Sequence, residues 1–143
     1  MITKVLVGVD FSEASRQALA RGAGWAERLK VPLVALHVLQ PPAPMLPEAQ
    51  LALPDPVWLQ GMETHARTQL DAWMQPYPGA TSDVKWGSPA EELVAAADGD
   101  TLLVVAQVGH STLERLLFGS TAARVVKHAP CDVLVVRTEA GRK

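Results

Sequence analysis

Lys4-Val5-Leu6-Val7-Gly8-Val9 runs without polar alternation straight into Asp10-Phe11-Ser12, and a helix-like Glu13–Leu29 follows. A strand with one wet face alternates apolar and polar residues, whereas this one is apolar almost throughout. That is how a strand covered on both faces reads. Glu13–Leu29 sets Ala14, Ala18, Leu19, Trp25, Ala26 and Leu29 largely on one side, with Glu and Arg elsewhere, as an amphipathic helix does. The same pair of patterns recurs along the chain. Further apolar runs lie at Leu33–Leu39, Thr101–Ala106 and Asp132–Arg137, with a weaker one at Ser82–Trp86. A second helical pattern spans about Val57 to Met74 through Leu59, Met62, Ala66, Leu70 and Trp73. Ser88-Pro89-Ala90-Glu91 predicts a helix start with a capping box, and Gly119-Ser120-Thr121 opens a last helix that must end before Pro130. The order β-α-β-α-β-α-β-α-β predicts an α/β fold: an open, five-stranded, mostly parallel sheet with helices on both faces. No internal repeat or second domain is visible, so residues 1–143 are expected to form one domain.

Composition agrees and removes several classes of function. The chain has 143 residues, 48% apolar and 20% charged, with a net charge of −2, the balance of a folded domain. Lys and Arg are dispersed apart from Arg142-Lys143, which argues against a nucleic-acid partner. No apolar run approaches the ~20 residues of a membrane span, and the N-terminus enters a strand with no leader pattern, so the cytoplasm is the expected location. Cys131 is the single cysteine; with no partner it reads as a small core residue, and no spacing suggests metal ligands. Six of the eleven prolines fall in Gln40–Pro56. That segment is expected to cross the surface, more mobile than the sheet, as a plain excursion, a flap or a partner-binding strip.

In open parallel sheets, ligands lie beyond the carboxyl ends of the strands where strand order reverses. If the second half of the chain returns across the first strand, the ends Val9-Asp10 and Ala106-Gln107 flank that crevice. The connection that follows carries Gly109, His110-Ser111-Thr112 and Gly119-Ser120-Thr121. Its glycines allow close backbone approach, and the helix opening at Gly119 presents free amides to an anion. The same residues also make ordinary turns and caps.

The segment Ala106-x-x-Gly109-(nine residues)-Gly119-Ser120 resembles the nucleotide loop of the universal stress protein family, written G-x-x-G-x9-G-[S/T]. Val7-Gly8-Val9-Asp10-Phe11-Ser12 resembles the family's first strand and its Asp, Leu36-His37-Val38 its second strand, and Lys127–Val136 its closing helix, turn and strand. The resemblance implies a Rossmann-like fold of the adenine nucleotide alpha hydrolase type, strand order 3-2-1-4-5. It implies ATP, with or without Mg²⁺, held by Val9, Asp10, Val38, Ala106, Gly109, His110, Gly119, Ser120 and Thr121. Asp10 would contact the adenosine or, structurally, cap the first helix; Val38 would offer backbone groups to adenine. Ala106 departs from the family's glycine, and His110 stands where members often have Arg. Some members bind no ATP, so a ligand-free dimeric scaffold for a protein partner is the alternative.

His37 and His65 read as structural, and Arg115, Arg124 and Lys127 as solvated helix faces. No Walker pattern, nucleophile elbow or catalytic triad is present, so hydrolysis is expected to be slow or absent. In the order 3-2-1-4-5 the Asp132–Arg137 strand lies at an edge. An apolar edge of this kind predicts pairing with a second copy under two-fold symmetry.

Overall fold

Among residues 1–41, 55–107 and 120–138, which the computed structural model describes, five strands alternate with four helices. They are β1 (Lys4–Gly8), α1 (Glu13–Leu29), β2 (Leu33–Leu39), α2 (Pro56–Trp73), β3 (Thr81–Trp86), α3 (Pro89–Ala96), β4 (Thr101–Ala106), α4 (Ser120–His128) and β5 (Asp132–Val136). The sheet order is β3-β2-β1-β4-β5. All four pairings are parallel, so the expected mostly parallel sheet is wholly parallel over the described residues. β1 sits in the middle: Val5 is in register with Leu33 on one side and Leu102 on the other.

The apolar runs are continuous because each strand feeds two cores. Val5, Val7, Leu33, Ala35, Leu39, Leu102 and Val104 pack with Ala18, Leu19 and Ala26 of α1 and Ala66 and Leu70 of α2. Leu6, Leu36, Leu103 and Val105 pack on the opposite face with Ala90 and Leu93 of α3 and Ala122 and Val125 of α4. Leu6, Leu19, Leu70 and Leu103 are almost wholly buried, each contributing about 1.5–3 kcal/mol relative to exposure. α1 passes close over the sheet at Gly22, where an added Cβ would lie 2.4 Å from Val7 Cγ2.

Helix ends follow local chemistry, with two corrections. Asp55 caps α2, accepting from the Val57 amide at 2.9 Å, and Pro56 occupies the first turn, where its missing N–H costs nothing. Lys30 closes α1 in the left-handed region, φ 58°. The capping box expected at Ser88 is not formed: Ser88 is the N-cap residue of α3, but its side chain makes no capping bond, and Glu92 N–H bonds the Ser88 carbonyl at 2.9 Å. Asp10 does not cap α1. β1 stops at Gly8, Asp10 is exposed, and the N-cap is Ser12, whose hydroxyl accepts from the Ser15 amide at 3.1 Å. No helix among the described residues is long and apolar enough to cross a membrane. Most of the Pro-rich segment, residues 42–54, lies outside the described residues.

Candidate functional site

β1 and β4 lie side by side, with Val7 opposite Val104, and their carboxyl ends open on the same edge of the sheet. The chain leaves β1 through Val9, still laddered by its N–H to the Leu36 carbonyl at 2.9 Å. It leaves β4 through Gln107, whose N–H bonds the Val136 carbonyl at 2.9 Å. Strand order reverses at this point: β1 leads outward to β2 and β3, and β4 to β5.

Asp10 is held at the mouth by a serine relay. Its Oδ1 accepts from the Ser12 amide at 2.9 Å and from the Ser12 hydroxyl. The Asp10 amide donates to Ser15 Oγ at 3.2 Å, and the Ser15 hydroxyl, itself buried, donates to the Ser12 carbonyl at 3.0 Å. Partial burial pushes the Asp10 carboxyl up, and the bonds from Ser12, with help from Ser15, outweigh it and hold the pKa below its usual value. The outcome is an exposed, oriented anion at the end of the central strand.

The residue between Asp10 and Ser12 bends the chain to allow this. Phe11 has φ 65°, a conformation that costs a bulky residue about 1–2 kcal/mol. Its ring lies against His37 (centroids 4.4 Å apart) and meets Trp73 edge-on at 5.3 Å, while the Arg16 guanidinium sits 4.0 Å above Trp73. His37 Nδ1 lies 2.7 Å from the Val9 carbonyl, so that carbonyl is occupied.

The other sequence-predicted residues fall as follows. Ala106 is the last residue of β4, in register with Val136, and its methyl packs into the core beneath α1. It keeps strand backbone, a conformation that does not require glycine. Val38 lies on β2 two residues beyond Leu36, which pairs with Gly8, and its side chain packs on the face of α3 and α4. Ser120 is exposed and Thr121 half-buried in the first turn of α4. Gly109, His110, Gly119 and Arg115 lie outside the described residues. Cys131 is half-buried against the second core, and burial pushes its thiol up.

Ser12, Ser15 and Phe11 are what residue patterns missed. The spacing Ser12-x-x-Ser15 ahead of an amphipathic run was the available cap signal; the left-handed turn at Phe11 has none in the sequence.

The model of the universal stress protein family matches residues 1–137. A universal stress protein of Mycolicibacterium smegmatis is 33% identical over 93% of this chain, which spans 45% of that protein's length. The universal stress protein UspA from Lactobacillus plantarum superposes with a TM-score of 0.72 at 29% identity, over 94% of this chain and 97% of that one. A universal stress protein solved in complex with cAMP superposes with a TM-score of 0.61 at 26% identity, over 96% of this chain and 98% of that one.

Proposed function

The chain belongs to the universal stress protein family, and on that premise we propose that it binds an adenine nucleotide, ATP with or without Mg²⁺, at the β1–β4 edge. The observation that carries this reading is the Asp10 carboxylate, oriented by Ser12 where strand order reverses. An anionic acceptor there suits ribose hydroxyls, which donate hydrogen bonds, and the cAMP complex of a 26%-identical relative supports an adenine nucleotide as the ligand class. In this reading Val9 and Asp10 line the ribose side and the Val38 backbone addresses adenine. Ala106, Gly109, His110, Gly119, Ser120 and Thr121 surround the phosphates. Ala106 does not oppose such a ligand, since its side chain packs against the core.

The module acts as a cytoplasmic stress-response switch whose occupancy is the signal, with hydrolysis slow or absent. Phosphoryl transfer needs cations, metal ligands and a group that positions the nucleophile, and the described residues around Asp10 supply no such set. One domain of this kind accounts for residues 1–143. It works as a homodimer: β5 pairs with β4 alone among the described strands and offers a half-buried Val133-Leu134-Val135 edge to a second copy.

Thermal denaturation with and without ATP tests the reading. A ligand at a hundredfold excess over its Kd stabilises by about 2.7 kcal/mol, a melting shift of roughly 5–13 °C for a domain of this size. Asp10→Asn should shrink the shift, and Ala106→Gly should leave or enlarge it. No shift in the native protein at millimolar ATP and Mg²⁺ would overturn nucleotide binding and favour the scaffold alternative.

A further inference from the structure

β2 turns successive side chains to opposite faces, so His37 and Leu39 face α2 while Val38 faces α3 and α4. Between the end of β2 and the first half of α2 lies a cleft of about 470 Å³, within the ~300–1,000 Å³ range of small-molecule sites. Its apolar and aromatic wall residues include Phe11, Leu39, Met62 and Trp58, which is 47% exposed. Gly61 opens one side, with nothing within 4 Å of where its Cβ would stand.

His65 and Gln69 also line the cleft, and His37 is the polar group held in place by a backbone bond. A carbonyl oxygen only accepts, so the 2.7 Å contact with the Val9 carbonyl makes Nδ1 the donor. In the neutral ring Nε2 is then an acceptor. Among the described residues no side chain or carbonyl bonds Nε2, and no buried side-chain nitrogen or oxygen is left without a partner, so Nε2 is accessible. The His37 ring borders the cleft, and Phe11, held in its left-handed turn, lies against that ring and lines the cleft beside it. The cleft thus combines apolar walls with three polar side chains, His37, His65 and Gln69, of which His37 presents an acceptor fixed by its bond to the Val9 carbonyl.

We propose that the cleft between β2 and α2 binds a flat aromatic molecule carrying one N–H or O–H donor, stacked along Trp58 and Phe11 and hydrogen-bonded to His37 Nε2. The site is separate from the β1–β4 edge: its strand residues are those that face α2, and Val38 is not among them. It does not depend on the nucleotide reading.

Indole and benzofuran are suitable probes, since they share one shape and only indole carries a donor. Titrated into the full chain and followed by NMR at the Trp58 and His37 side chains, indole should bind roughly two- to twelvefold more tightly, the range expected of one net hydrogen bond. His37→Phe should remove that preference while both probes still bind. Gly61→Leu, which fills the cleft from an open helix position, should weaken both, and it serves if His37→Phe does not fold. Saturating ATP should leave both affinities unchanged. The proposal is overturned by no binding at millimolar probe, by equal affinities for the native protein, by a Gly61→Leu variant that binds as the native protein does, or by displacement with ATP.

Discussion

Adding one methyl at Gly22 and one at Gly24 should move stability in opposite directions. Both residues lie inside α1, so each Gly→Ala change gains about 0.8–1.0 kcal/mol of helix propensity. At Gly24 nothing lies within 4 Å of the new Cβ, and the gain should appear whole. At Gly22 the Cβ would stand 2.4 Å from Val7 Cγ2 and 3.5 Å from Val5 Cγ1. The first distance is over an ångström short of the ~3.5–4.0 Å carbon contact. Val7 is fully buried on the central strand and is stiff at χ1, so the strain passes to the helix–sheet seat. Overpacking of this kind costs about 1–3 kcal/mol. A clash this close belongs near the upper end, leaving Gly22→Ala roughly 2 kcal/mol less stable than the native chain after the propensity gain.

Urea denaturation at one fixed protein concentration reads both variants, because a midpoint that shifts at constant m is a change in stability. The two midpoints should bracket the native one, and the two variants should differ by about 3 kcal/mol in unfolding free energy. A double-mutant cycle separates the clash from other effects: in a Val7→Ala background, Gly22→Ala should change from costly to neutral or favourable. If Gly22→Ala is as stable as Gly24→Ala, α1 does not sit over β1 as described. The placement of Ser12 and Asp10 by that helix would fall with it.

The serine relay gives two further expectations. Ser12→Ala removes the α1 N-cap and should cost about 1 kcal/mol, visible as a lower urea midpoint; no change would mean that Asp10 caps the helix directly. The Asp10 pKa is lowered in the folded state, so its stabilisation is present above the unfolded pKa and disappears as pH falls through the lower folded value. The stability gap between native protein and Asp10→Asn should therefore close on acidification, and a gap that persists at the lowest pH at which the protein still folds would contradict the assignment. Val135→Pro removes a β5 amide and should turn a dimer into a monomer by light scattering; a native protein already monomeric at micromolar concentration refutes pairing through β5.

The strands and helix seats were legible because burial on both faces leaves a mark that survives translation into sequence, whereas the strand order followed from the resemblance to the universal stress protein family. Val5 and Val7 serve one core and Leu6 the other, and no wet-faced strand would tolerate that run. α1 was bounded correctly at Glu13 and Leu29 by its amphipathic pattern. The site was less legible because its geometry is set where locally ordinary pieces meet. Asp10 at the end of an apolar run reads as a buried carboxylate, but the strand stops two residues earlier and the carboxylate turns out to solvent. That turn depends on Phe11 accepting φ 65°, which its ring contacts with His37 and Trp73 compensate. Those partners come from β2 and α2, far along the chain, so no local pattern announces them. His37 is the sharpest case. In its own run it reads as a strand residue, and its ring becomes a directed acceptor only because the Val9 carbonyl takes Nδ1 and the approach of α2 leaves a space beside it. Sequence periodicity reports which face a residue serves; what stands opposite is decided by the order in which strands join the sheet.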